Sequence, residues 1–137
     1  MKIGEYVYAR THAELLNELL GTNYKGWMKD HIILSDKMLW MIELGNFVSS
    51  SGWMNRLVGD KVSEKLVDKK FETHTTYKTA PKVEQMTSWR FYDRIVFDVE
   101  KGGSVRKYIF RGVFRPNPEE STINENIWDL ILDEYNL

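Results

Sequence analysis

From Trp89 to Arg115 the chain interleaves basic and aromatic residues. Trp89, Arg90, Phe91, Tyr92 and Arg94 precede a Gly102-Gly103 pair, and Lys107, Arg111 and Arg115 follow it. Guanidinium groups are forked donors that match phosphate oxygens, and aromatic rings beside them give faces on which bases stack. This is the chemistry of holding a polyanion, not of making or breaking a bond. Arg90, Arg94, Arg111 and Arg115 are the candidate phosphate contacts, Lys107 is a further cation, and Tyr92 is placed to stack or orient. The same alternation also describes a solvated sheet face whose guanidiniums pair with acidic residues of the C-terminal segment, and the sequence leaves both readings open.

Bringing the two halves together requires a hairpin. Gly102-Gly103 lies between two β-branched and aromatic runs, where a tight turn favours positive φ at both central positions. With Lys101 facing Ser104, Phe97 meets Tyr108 and Ile95 meets Phe110 in the core, while Asp98 meets Lys107 on the other side. Arg94 then lies beside Arg111 on the outside, with Arg90 beside Arg115. Like charges so placed call for an anion or a carboxylate between them. Gly112, isolated in a strand, is the place to expect a bulge.

Other chemistries find little support. His12, His31 and His74 have no second histidine or carboxylate at metal-ligand spacing, so no metal is expected. Ser49–Ser51 lacks the context of a nucleophile elbow. Asp60 and Asp68-Lys69-Lys70 weakly match the carboxylate–lysine pattern of metal-dependent nucleases, but no clear third carboxylate or strand context accompanies them. No glycine-rich phosphate or dinucleotide loop occurs, so no cofactor is expected and the protein is read as a non-enzyme.

At 137 residues the chain fits one domain, residues 1–137. It has no cysteine, hence no disulfide or thiolate site. With no apolar run of membrane-spanning length and no apolar core to its N-terminus, it is expected to be soluble and cytoplasmic, without membrane contact. Its net charge of −1 conceals an asymmetry: all 19 Lys/Arg lie in residues 1–115, and six of the 20 acidic residues lie in 116–137. The first part therefore carries 19 − 14 = +5 and the last −6, a distribution that suits a basic body for a polyanion or an acidic surface for a protein partner.

The positioning elements are short. A strand is expected at Tyr6–Tyr8. A helix follows over about residues 12–20, with Thr11 and Glu14 as capping box and Gly21 as its stop. Strand-like runs follow at Met38–Leu44 and Trp53–Val58, the latter ended by Gly59-Asp60. Residues 61–70 suggest a basic helical turn, Phe71–Tyr77 a strand, and Lys78–Met86 a long loop. The last twenty residues fit a helix capped near Thr122 or Asn124, with a strand through Ile127–Leu132 as the rival. The sum is an α+β domain: a strongly curved antiparallel sheet or small β-barrel with one or two short flanking helices.

Asn23-Tyr24-Lys25-Gly26-Trp27-Met28-Lys29, Leu39-Trp40-Met41-Ile42 and Tyr108-Ile109-Phe110-Arg111-Gly112-Val113-Phe114 resemble segments of PUA-like small β-barrels. That superfamily includes SRA, EVE and YTH modules, several attached to bacterial restriction nucleases. The resemblance spans residues 20–132 and rests on aromatic and glycine placement. It implies a non-enzymatic module that admits a flipped, often modified, base between aromatic rings while basic strands hold the backbone of DNA or RNA. Trp27, Trp40, Trp53 and Trp89 form the pool from which such an aromatic pocket is drawn, although several must be core. The alternative is a small phage or mobile-element interaction protein that docks on a host or defence complex through its acidic C-terminal segment.

Overall fold

The computed structural model describes residues 1–49, 52–67, 92–122 and 124–137. Its elements are β1 (Tyr6–Ala9), α1 (His12–Leu20), β2 (His31–Leu34), β3 (Lys37–Ile42), β4 (Trp53–Val58), β5 (Lys61–Leu66), β6 (Asp93–Gly102), β7 (Val105–Pro116) and β8 (Glu125–Leu132). The chain divides into two compact units. One comprises residues 1–43, 94–113 and 132–137; the other comprises 44–93 and 114–131.

In the first unit the strand order is β2-β3-β6-β7, with β1 also pairing β7. Helix α1 starts where Thr11 Oγ1 accepts the Glu14 N–H at 3.1 Å and ends at Gly21, whose φ of +67° only glycine adopts without strain. The box is not reciprocal: the Glu14 carboxylate turns to the Arg10 N–H and Nε. The helix lays Leu15 and Leu16 on one face of the sheet, against Leu39, Met41, Ile95, Phe97, Val99, Tyr108 and Phe110. Phe97 and Tyr108 are thus core, as the pattern required, and the Phe97 and Phe110 rings meet edge-on at 5.7 Å.

The hairpin departs from its expected register. β6 runs on to Gly102 and β7 begins at Val105, so the turn residues are Gly103 and Ser104, with Gly103 at φ +73°. Moving the turn by one residue moves each partner by two, which leaves every side chain on its expected face. Further along β7 the alternation slips: Tyr108 and Phe110 are core, and the next core residue is Val113. Gly112, at φ +117°, absorbs the extra residue as a bulge does.

The second unit orders the end of β7, then β8, β5 and β4. Two expectations fail here. KVSEKL is a strand and not a basic helical turn, because Gly59-Asp60 closes a hairpin that pairs Val58 with Lys61. The C-terminal segment is β8, pairing β5 from Lys61↔Asp129 to Lys65↔Glu125, so the rival strand wins over the helix. A third hairpin, β2–β3, was not anticipated; it turns through Ser35, a non-glycine at φ +51°. The molecule is therefore mostly sheet with one helix among the described residues, and the strand path ends at β2 and β4 without closing. The expectations for Phe71–Tyr77 and Lys78–Met86 lie outside the described residues.

Candidate nucleic-acid interface

Strand alternation gives the first unit a second sheet face, opposite α1. With Val7, Ala9, Leu39, Met41, Ile95, Phe97, Tyr108 and Phe110 in the core, the other face carries Tyr6 and Tyr8 from β1, Trp40 from β3, Arg94 and Asp98 from β6, and Lys107 and Arg111 from β7. This is where the interleaved pattern comes to lie. Parity is as expected, but exposure is not. Arg94, expected outside, is only 4% exposed, and its guanidinium lies over the Trp40 ring at 4.2 Å. A desolvated cation over an indole is held by the ring quadrupole, worth about 2 kcal/mol. Asp98 pairs with Arg111 at 3.2 Å and not with Lys107. Lys107 instead sits over the Tyr6 ring at 4.2 Å.

In the second unit Arg115 is held by both oxygens of Asp93, at 3.0 Å each, a bidentate fork that raises its pKa further. Tyr92 precedes β6 and is half-buried. Arg90 and Trp89 lie outside the described residues, as does Asp68. Asp60 is in the β4–β5 turn, where its carbonyl accepts from Leu130. The acidic C-terminal residues are engaged locally: Asp129 and Glu120 hold Lys61, raising its pKa, and Glu125 accepts from Ser63 at 2.7 Å. The carboxylates that meet the hairpin arginines, Asp93 and Asp98, come from the hairpin's own first strand.

The second unit also holds a polar row that the sequence did not reveal. Pairing of β4 with β5 and of β5 with β8 sets Asn55, Glu64 and Asn126 side by side across three strands on one face. On that face Trp53 and Leu66 flank the row on one side, and Val62 and Trp128 on the other. Asn126 is 4% exposed, and its Nδ2 has no hydrogen-bond partner; the Oδ1 of Asn55 is likewise buried and unbonded. A buried polar atom without a partner costs about 1–3 kcal/mol, so two of them beside a carboxylate and two indoles point to a polar ligand. Only Trp53 had been singled out. The amides gave no local signal, because the row exists only once strands some sixty residues apart are paired.

The loop between α1 and β2 is the third feature. Asn17 fastens it, donating to the Tyr24 carbonyl at 2.8 Å and accepting from the Tyr24 N–H at 2.7 Å. Trp27 packs on Tyr24 and donates to the His31 carbonyl at 3.1 Å, so this member of the aromatic pool is an anchor against the core. Next to it Met28 is 99% exposed, between the exposed Lys25 and Lys29.

The family model described as SRA, SET and RING associated domain, matches residues 1–137, and the chain belongs to that family. SRA domains bind DNA and read modified cytosine. Among solved structures, the chain is similar to "The 5-Hydroxymethylcytosine-Specific Restriction Enzyme AbaSI", with a TM-score of 0.63 and 18% identity. The match covers 95% of this chain and 40% of that one, so the chain spans less than half of that enzyme. No curated protein shows significant similarity.

Proposed function

We propose that this chain is a cytoplasmic DNA reader that takes a flipped, modified cytosine against the Asn55–Glu64–Asn126 row. The carrying observation is the pair of buried, unbonded amide atoms on either side of Glu64. Cytosine presents O2 and N3 as acceptors and N4–H₂ as donor. Asn126 Nδ2 would donate to the former, while Glu64 and Asn55 Oδ1 accept from N4. Thymine, with an oxygen at the same place, would meet two acceptors and be refused. Trp53 and Trp128, on the same face, supply apolar walls for the ring.

The exposed Lys25 and Lys29 and the half-buried Lys107 would meet phosphates; Arg94, Arg111 and Arg115, each already held by a ring or a carboxylate, would chiefly support the sheet. Such a chain reads without cutting, and any cleavage would be the work of another domain or protein.

The test is fluorescence polarisation on duplexes that differ at one central position: cytosine, 5-methylcytosine, 5-hydroxymethylcytosine or thymine. A modified cytosine should bind best, and Asn126→Ala should abolish the discrimination. Equal binding of all four duplexes would refute the proposal. Cleavage of the modified duplex with Mg²⁺ or Mn²⁺ would refute its non-enzymatic part.

A further inference from the structure

β1 is a short edge strand whose two faces differ sharply. Val7 and Ala9 enter the core, while Tyr6 and Tyr8 stand on the opposite face, 50% and 58% exposed. Their rings meet as an edge-to-face pair, 5.3 Å between centroids and at 73°. The register sets Tyr8 opposite Lys107, whose ammonium lies over the Tyr6 ring. Glu5, the adjoining carboxylate, is engaged by the Lys2 N–H at 2.9 Å. Among the described residues, Lys107 has a ring contact and no ion pair, so its charge remains available to a phosphate.

We infer that Tyr6, Tyr8 and Lys107 form a second DNA-binding site, a stacking platform for unpaired nucleotides. Exposed rings attract any base whose π-face is open, and only unpaired, unstacked bases present one. The lysine beside them supplies the charge that a single strand's backbone requires. The platform rests on the DNA-binding reading of the chain but not on the Asn126 row, since none of its residues belongs to that row. It would hold single-stranded DNA whatever its sequence or modification.

The experiment measures anisotropy of a labelled oligo-dT of about 12 nucleotides with the whole chain, alongside the modified-cytosine duplex. Tyr6→Ala combined with Tyr8→Ala should weaken oligo-dT binding about fivefold or more, and the corresponding double Phe variant should bind as wild type. Lys107→Gln should lower the salt dependence by about one phosphate contact. Both tyrosine double variants should keep the preference for modified over unmodified duplex. If the double Ala variant binds oligo-dT like wild type, or wild type binds none at low salt, the platform is refuted. It is refuted equally if the Ala substitutions abolish self-association of the chain and leave oligo-dT binding intact, which would make this a surface for a second copy. A wild type that ignores cytosine modification yet loses oligo-dT binding with the Ala pair would overturn the reader proposal and uphold the platform.

Discussion

The arginines on the second sheet face of the first unit and the amides of the polar row in the second unit both bury polar atoms, but their partners differ. On the first, Arg94 is seated on Trp40 and Arg111 on Asp98, although the Nε of each guanidinium is buried and unbonded. In the second, Asn126 Nδ2 and Asn55 Oδ1 meet nothing. A charge that already has its counterpart must give it up to hold a ligand, whereas an unbonded amide gains by binding one. On the proposed reading the arginine face serves stability and the amide row recognition, although the arginines are far more conspicuous in the sequence.

The largest expected effect tests the first half of that assignment. Asp98→Asn leaves the Arg111 guanidinium without its counter-charge in a mostly buried site and should cost about 3 kcal/mol of stability. Its measure is chemical denaturation, with duplex affinity per folded molecule nearly unchanged. Wild-type stability combined with altered DNA affinity would reverse the roles of the two regions. Lys107→Ala provides the contrast: little change in stability, and a salt slope lower by about one phosphate contact.

Asn126→Leu comes next and is sharper, because its two consequences have opposite signs. Removing an unsatisfied buried amide should leave the free protein as stable or more stable, by up to about 1 kcal/mol. Removing the donor to cytosine should cost about 1–3 kcal/mol of discrimination. A lower melting temperature with discrimination retained would mean that the amide is structural.

The legibility of this chain follows the range of the interactions involved. Helix α1 was readable because its cap and stop lie within eleven residues, and the β6–β7 core because parity survives a turn displaced by one. β5 is ambiguous in sequence because its charged residues, Lys61, Glu64 and Lys65, also suit a solvated helix, and because Gly59-Asp60 reads as the end of a strand as well as a hairpin turn. β8 was misread because Ile127, Trp128, Ile131 and Tyr135 happen to fall at helical spacing. Parity placed Arg94 on the correct face, but only the fold shows that this face is buried there. The Asn55–Glu64–Asn126 row has no sequence signature, since one hairpin register and one non-local register together create it.

The smallest expected effect concerns pH and returns to the first unit, on the side where α1 packs. His12 Nδ1 lies 2.8 Å from the Tyr108 hydroxyl, with the rings edge-on. Burial, reinforced by the nearby Arg106 charge, lowers the His12 pKa below its ordinary value, and burial raises that of Tyr108. A histidine whose folded pKa lies below its unfolded one takes up its proton more readily when the chain unfolds. Stability from this group is therefore present above about pH 6.5, the unfolded value, and declines as pH falls below it. Thermal melts at about pH 7.5 and about pH 5.5 should show wild type losing more stability than His12→Gln, which retains a polar partner for Tyr108 but cannot titrate. The Asn126 row contains no histidine, so cytosine discrimination per folded molecule should be the same at both values. Discrimination that follows the His12 titration would tie the two regions together and end their separation into one that stabilises and one that reads.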